Sequence, residues 1–176
     1  MAQKRTDLIT FKSAPLTLVG KQVQPGDKAP DFVVRTGLTP DTEYTLASGA
    51  GKTRILNVVP SLDTGICDLQ TRRFSQEAAA LGDSAAIVTI SLDLPPAQAR
   101  WCGAAGVDNL TMTSDYYHRS FAEAYGLWIE ELGLLARAVI IIDGDDIVRY
   151  VQLVPEVASE PNYEAVLVAA REVIGQ

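Results

Sequence analysis

Apolar residues in this chain are concentrated in short runs. Between the runs lie segments in which apolar residues recur at the spacing of one helix face. Three of the runs are rich in β-branched residues and long enough for strands: Arg54–Val59, Ala85–Ser91 and Ala138–Asp143. A continuous apolar run of this length, bounded by turn residues, is typical of a strand covered on both faces. The pattern therefore predicts a sheet at the centre of the molecule.

Segments with helical periodicity follow these runs. After the first run, Leu69, Phe74, Ala78 and Leu81 recur at the spacing of one helix face, which predicts a helix over residues 68–81. The other predicted helices are 95–102, which opens with two prolines, 120–125 and 163–174.

Alternating stretches predict the remaining strands. Residues 11–23 alternate around Ala14-Pro15 and predict a β-hairpin, and a turn at 143–146 leads into a strand at 147–152 with one face in solvent. Buried strands that alternate with helices and end in an antiparallel hairpin predict a three-layer α/β fold with a mixed central sheet. Further extended segments are predicted at 29–34, 44–46 and 110–114.

Composition limits the size and the partners of the protein. A chain of 176 residues with 47% hydrophobic content can form one well-packed domain, which we expect to span 1–176 with a flexible N-terminus at 1–10. The net charge of −7 argues against a nucleic-acid partner, because binding phosphates requires clustered Lys and Arg. Neither a membrane span nor an apolar signal sequence is visible, so we expect a soluble, cytoplasmic protein without a membrane partner.

The residues that could bind a metal are few. The chain has two cysteines, Cys67 and Cys102, and one histidine, His118. Two cysteines are too few for a disulfide-stapled secreted domain, and neither has zinc-ligand spacing. We expect no metal and no cofactor, and any pairing of the two cysteines should be transient.

Cys67 is the strongest candidate for chemistry because it lies where a buried strand gives way to a helix. Pro60 ends the strand, and Asp63 and Thr64 are helix-capping residue types, which places Cys67 in or just before the first helical turn. Unpaired N–H groups and the positive end of the helix dipole favour the thiolate, the nucleophilic form of cysteine. An inert buried thiol remains the alternative.

The spacing Pro60-x-x-x-Thr64-x-x-Cys67 resembles the active-site motif of the peroxiredoxins. Four more segments make the chain similar to the bacterial thiol peroxidases, which are atypical two-cysteine peroxiredoxins. The similarity extends from Phe11 to about Ala170, and the segments are SLDLP at 91–95, RWCG at 100–103, LARAV at 135–139 and EPNYEA at 160–165.

This resemblance implies a thioredoxin-like fold with an N-terminal β-hairpin, and an enzyme that reduces hydrogen peroxide and organic hydroperoxides to water and alcohols. By position, Cys67 is implied to attack the peroxide and to become a sulfenic acid, which Cys102 resolves as an intramolecular disulfide. Thioredoxin is the implied reductant. Thr64, Arg137 and Pro60 complete the implied site.

Residue chemistry agrees with these roles. The guanidinium of Arg137 can favour a thiolate and hold peroxide oxygens, and the Thr64 hydroxyl can accept from the peroxide while donating to sulfur. Pro60 would shield the thiolate. The alternatives are that Arg137 is a surface ion-pair partner, that Thr64 also caps the helix, and that Cys102 is an incidental buried residue.

The resemblance also implies a homodimer, for which Trp128, Tyr125 and Leu127 are candidate exposed contacts. Two positions depart from the family pattern: Ser13 replaces the usual hairpin glycine, and Pro96 stands where an aromatic residue is common. A peroxide-sensing redox relay that uses the same cysteines is the alternative function. A thioredoxin-type oxidoreductase is disfavoured because the chain has no C-x-x-C pair.

Overall fold

The structure is a computed structural model, and it describes residues 3–175. Two short 3-10 helices, Pro40–Thr42 and Leu46–Gly49, lie on either side of the fourth strand. In chain order, the strands and α-helices of the described residues are β1 (Lys4–Phe11), β2 (Ala14–Val19), β3 (Val33–Arg35), β4 (Glu43–Thr45), β5 (Thr53–Val58), α1 (Gly65–Leu81), β6 (Ala85–Ser91), α2 (Pro95–Ala105), β7 (Thr111–Ser114), α3 (Ser120–Tyr125), β8 (Trp128–Ile129), β9 (Leu134–Leu135), β10 (Ala138–Ile142), β11 (Val148–Leu153) and α4 (Tyr163–Ile174).

A seven-stranded sheet, in the order β11-β10-β5-β6-β7-β3-β4, forms the middle layer. β5, β6 and β7 are parallel, whereas β10 pairs antiparallel with both β5 and β11. Ile55 packs on one face with Phe74 of α1, and its neighbour Leu56 packs on the other face in the same cluster as Leu18 of β2 and Phe121 of α3. Apolar cover on both faces explains the continuous hydrophobic runs, and the predicted mixed α/β fold is confirmed.

A second sheet, in the order β1-β2-β8-β9, extends the N-terminal hairpin. An N-terminal hairpin is confirmed, but it spans residues 4–19 rather than the predicted 11–23, and its turn lies at residues 12–13 rather than at Ala14-Pro15. The prediction of a flexible segment over 1–10 is wrong for residues 4–10. Lys4 pairs with Val19, and Ile9 is buried in the cluster that contains Leu18 and Leu56, which we call the main core. These contacts order the strand. Residues 1 and 2 of that predicted segment lie outside the described residues. The two-residue strands β8 and β9 were not predicted.

The hairpin turn has left-handed backbone at two residues, Lys12 with φ of 50° and Ser13 with φ of 68°. Glycine adopts this conformation most readily, so Lys12 and Ser13 need support from neighbouring groups. In this chain the Glu156 carboxylate accepts hydrogen bonds from the backbone N–H groups of both residues, at 3.1 and 3.3 Å. Glu156 therefore stabilises the turn and joins it to the loop after β11.

Two sequence-based predictions about surfaces are wrong. Leu69 was placed on the buried face of α1 but is 52% exposed, and the buried face carries Gln70 and Thr71 instead. Tyr125, the last residue of α3, and Leu127, which follows the helix, were named as exposed dimer contacts but are buried in the main core. In the part of the chain that the structure describes, no helix has both the length and the apolar character needed to cross a membrane.

Candidate active site

Cys67 is the third residue of α1, and its side chain is completely buried. The helix begins at Gly65, three residues earlier than the predicted start, so the cysteine lies inside the first turn, as expected. Thr64 occupies the N-cap position, but its side chain makes no capping hydrogen bond. The expectation that Thr64 also caps the helix is therefore wrong for its hydroxyl, which is directed elsewhere.

Two donors converge on the sulfur atom of Cys67. The Thr64 hydroxyl lies 2.7 Å from Sγ, and Nη2 of Arg137 lies 3.3 Å from it. The Thr64 hydroxyl is also 2.9 Å from the carbonyl oxygen of Ser61. A hydroxyl has one proton, so it donates to only one of these two acceptors at a time, and its lone pairs remain free to accept.

Arg137 is buried, with only 2% of its surface exposed, at the residue before β10. Its guanidinium donates to the carbonyl oxygen of Val157 at 3.0 and 2.9 Å and to Oε1 of Gln70 at 2.8 Å. Among the described residues, no carboxylate forms an ion pair with it. The interpretation of Arg137 as a surface ion-pair partner is therefore wrong, and the Cys67 sulfur is the neighbouring side-chain atom that can carry a balancing negative charge.

Gln70, whose side-chain oxygen accepts from Arg137, was not identified as a site residue from the sequence. Gln70 lies three residues after Cys67 on the buried face of α1, and its amide donates to Oδ1 of Asn57 at 2.6 Å. Asn57 in turn donates to the hydroxyls of Thr71 and Thr89. Through Gln70, this network of buried amides and hydroxyls fixes the position of the Arg137 guanidinium. The polar pair at 70 and 71, one turn after the cysteine, was the available signal.

A second unpredicted residue, Asp93, orders the loop before α1. Its carboxylate accepts from the Ser61 hydroxyl at 2.7 Å, from the backbone N–H of Leu62 at 2.8 Å and from the Ser91 hydroxyl at 2.8 Å. Because the Ser61 carbonyl is the alternative acceptor for Thr64, Asp93 positions the hydroxyl that contacts the sulfur. Its place in the SLDLP segment after a buried strand was the sequence signal for this role.

A cavity of about 260 Å³ opens next to these groups. Three of the predicted site residues, Pro60, Thr64 and Arg137, lie in its wall. The rest of the wall is mostly apolar and comes from the hairpin, the first turn of α1, the β8–β9 turn and the loop after β11: Phe11, Gly65, Ile66, Leu132, Leu134, Val157 and Ala158.

Cys102 lies in α2 and is half-buried, and both cysteines are free thiols in this structure. It packs against the small apolar cluster that contains Cys67, Trp101 and Val107. Burial raises the pKa of the Cys102 thiol above its ordinary value. The structure thus places the second cysteine in the same cluster as the first, but in the thiol form and outside the cavity wall.

These features define a thiol-based redox protein: a buried cysteine at a helix N-terminus, a guanidinium and a hydroxyl on its sulfur, and an apolar cavity beside it. Residues 24–167 match the family described as Redoxin, and the chain belongs to that family. It is 51% identical to the thiol peroxidase of Bacillus subtilis (strain 168) over 166 residues, which cover 94% of this chain and 98% of that protein. The protein is therefore a peroxidase of the peroxiredoxin type.

Solved structures agree with this assignment. The peroxiredoxin-like protein from Aquifex aeolicus superposes with a TM-score of 0.86 at 38% identity, over 98% of both chains. The thiol peroxidase from Chromobacterium violaceum superposes with a TM-score of 0.80 over 93% of this chain and 95% of that one, and at 20% identity it supports the fold alone. The predicted thioredoxin-like fold is confirmed.

Proposed function

We propose that Cys67 is the residue that attacks the peroxide. Its thiolate attacks the terminal oxygen of the peroxide, so that an S–O bond forms, the O–O bond breaks, and sulfur loses two electrons to become a sulfenic acid. The other peroxide oxygen leaves as hydroxide or alkoxide and takes up a proton to give water or an alcohol.

The observation that carries this proposal is the environment of Arg137. A guanidinium that is buried without a carboxylate stabilises an anion at the sulfur 3.3 Å away. After the peroxide has entered, the same donors and the Thr64 hydroxyl stabilise charge that develops on the peroxide oxygens. Pro60 forms part of the cavity wall beside these groups and limits the access of water.

The cavity supports organic hydroperoxides as well as hydrogen peroxide as substrates. Its mouth is lined by the partly exposed side chains of Phe11 and Leu132, and Ile66 and Leu134 extend the apolar wall. An alkyl or aryl group attached to the peroxide can bury apolar surface here, which lowers its free energy of binding.

We further propose that Cys102 resolves the sulfenic acid. Its sulfur attacks the oxidised sulfur of Cys67, the S–O bond breaks, and water leaves as an intramolecular disulfide forms. A dithiol protein of the thioredoxin type then reduces the disulfide. This cycle fits the cytoplasm, where thiol systems keep such cysteines reduced.

We also propose that two copies associate as a homodimer. Of the three predicted contacts, Trp128 remains half-exposed, beside the Arg119 guanidinium at 4.9 Å from its ring centroid. Sedimentation at micromolar concentration tests this proposal, and a monomer in both redox states would contradict it.

The relatives are named as peroxidases, so the comparisons favour turnover of peroxide over the sensing relay.

Peroxide consumption in the presence of thioredoxin, its reductase and a nicotinamide cofactor tests the proposed cycle. Cys67→Ser should show no turnover, because a serine hydroxyl is not ionised at neutral pH. Cys102→Ser should consume one equivalent of peroxide and stop as a sulfenic acid. Thioredoxin-dependent turnover by Cys102→Ser at the wild-type rate would show that Cys102 does not resolve Cys67.

A further inference from the structure

The residues next to the two cysteines are bonded to each other. Asp68 follows Cys67 in the first turn of α1, and Trp101 precedes Cys102 in α2. The indole Nε1–H of Trp101 donates to Oδ1 of Asp68 at 2.8 Å. This bond joins the helix of one cysteine to the helix of the other.

Arg72 strengthens the connection. Its Nε donates to the Asp68 carboxylate at 3.0 and 2.9 Å, and its Nη1 donates to the carbonyl oxygen of Ala105, the last residue of α2, at 3.1 Å. The guanidinium also lies 5.6 Å from the ring centroid of Trp101. Asp68, Arg72 and Trp101 are referred to below as the clasp.

The clasp holds the arrangement in which Cys67 meets the peroxide. In this arrangement Cys67 is completely buried on the face of α1 that contacts Arg137, and Cys102 lies within the helical hydrogen bonding of α2. A disulfide needs the two Cα atoms within about 4.4–6.8 Å and specific torsions, which two cysteines within intact helices do not meet freely. Any rotation of Cys67 away from Arg137 also moves Asp68, because the two residues are adjacent in the chain.

We propose that Asp68, Arg72 and Trp101 are positioning residues that set the rate of resolution, because the clasp must open before Cys102 can reach the oxidised sulfur of Cys67. This inference rests on the proposed cycle of Cys67 oxidation and resolution by Cys102. The clasp touches no reacting atom. It determines how long the sulfenic acid survives in the closed form.

The environment of Cys102 also slows resolution while the clasp is closed. Burial beside Trp101 raises the pKa of the Cys102 thiol, so the closed form keeps this cysteine protonated and weakly nucleophilic. Opening of the clasp exposes Cys102 to water and restores its ordinary acidity. Cys102 then loses a proton, its thiolate attacks the Cys67 sulfenic acid, and the hydroxyl of that acid leaves as water after it takes up a proton.

Over-oxidation competes with this step. A second peroxide molecule can convert the sulfenic acid to a sulfinic acid while the clasp is closed, since the peroxide cavity is then intact. A weaker clasp should therefore favour the disulfide and protect the enzyme from excess peroxide.

The test is to compare the product mixture in Trp101→Phe and Arg72→Gln with that of the wild type. Trp101→Phe keeps the ring but removes the donor to Asp68, and Arg72→Gln removes the bonds to Asp68 and Ala105. Arg73→Gln is the matched control, because Arg73 forms an ion pair with Glu77 within α1 and makes no bond to α2. Each protein is mixed with excess hydrogen peroxide, and the disulfide and the sulfinic acid are measured by mass spectrometry.

We expect the ratio of sulfinic acid to disulfide to fall roughly five- to ten-fold in both clasp variants, the factor that corresponds to one hydrogen bond of typical net strength. The rate of Cys67 oxidation should stay at the wild-type value, because the closed form still predominates. Arg73→Gln should match the wild type in both measurements. A purely structural role would lower the melting temperature without changing the ratio.

An unchanged or higher ratio in Arg72→Gln and Trp101→Phe overturns the role of the clasp. This result is distinct from failure of the proposed function. If the wild type forms no disulfide between Cys67 and Cys102, the proposed cycle fails and the clasp fails with it. If the wild type forms the disulfide and the variants leave the ratio unchanged, only the clasp is refuted.

Discussion

At the scale of residues, two side-chain groups converge on the sulfur atom of Cys67. Within the described residues, the hydrogen-bond partners of the Cys67 sulfur are the Thr64 hydroxyl and the Arg137 guanidinium, and the other acceptors of Arg137 are neutral. In the proposed reaction, the thiolate balances the charge of the guanidinium before the attack and the peroxide oxygen balances it during the attack.

The Thr64 hydroxyl gives a test at this scale. Thr64→Val removes the hydroxyl at nearly constant volume, and we expect the rate of Cys67 oxidation to fall by roughly 10²-fold, the typical effect of losing one such donor. Stopped-flow measurement of a single turnover with hydrogen peroxide checks this value. Thr64→Ser is the control, since it retains the hydroxyl and should stay close to the wild type. A Val variant as fast as the Ser variant would rule out a chemical role for the hydroxyl.

At the scale of elements, the starts of two helices lie beside buried groups that can ionise. The start of α1 places Cys67, and the start of α3 depends on a buried carboxylate. Asp115 accepts from the backbone N–H groups of Phe121 at 3.2 Å and Ala122 at 2.8 Å. Burial nevertheless raises its pKa from an ordinary value of 3.8 to about 6.

This shift predicts a pH dependence of stability. Because the folded protein holds the Asp115 proton more tightly than the unfolded chain, its contribution to stability is complete below about pH 4 and is lost as the pH rises through about 6. The free energy of unfolding of the wild type, relative to Asp115→Asn, should fall by about 2 kcal/mol between about pH 4 and about pH 6.

Urea unfolding of the two proteins at a series of pH values measures this difference. In the Asn variant, the side chain at position 115 does not titrate, and its amide oxygen can still accept from the α3 backbone. This variant therefore serves as the reference. A difference between the two proteins that is constant from about pH 4 to about pH 7 would contradict the assignment.

At the scale of the whole molecule, the cavity is built from distant parts of the chain. The hairpin contributes Phe11, the β8–β9 turn contributes Leu132, and the first turn of α1 contributes Ile66. The hairpin also holds the loop after β11, through backbone bonds between Thr10 and both Pro155 and Val157. Since the Val157 carbonyl accepts from Arg137, the second sheet supports the guanidinium as well as the substrate wall.

Substrate preference tests the role of this wall. Leu132→Ser should raise the KM for an aromatic hydroperoxide such as cumene hydroperoxide roughly ten-fold through the loss of apolar contact, while the KM for hydrogen peroxide stays the same. Steady-state assays with both substrates measure the two values. Leu38→Ser is the control, because Leu38 is exposed and does not line the cavity. Equal changes for both peroxides would show that Leu132 does not contact the organic group.

Local patterns in the sequence determined most of the elements, although not the two-residue strands β8 and β9. The strand Ala85–Ser91 and the helix Tyr163–Ile174 have their predicted bounds, because an apolar run and a 3.6-residue period reflect contacts that any buried strand or amphipathic helix must make. The placement of Cys67 in the first helical turn came from the same local signals, and the predicted residues Thr64 and Arg137 meet at its sulfur.

Only the tertiary structure decided which groups support that site. Gln70 contacts Arg137 across 67 positions of the chain, and Phe11 enters the cavity from a hairpin that the sequence places far from α1. Leu69 was assigned to the core because leucine is apolar, yet the buried face of α1 holds Gln70, since a buried guanidinium needs an acceptor there. Such choices depend on the chemistry of the opposing segment, and no periodicity along one segment contains that information.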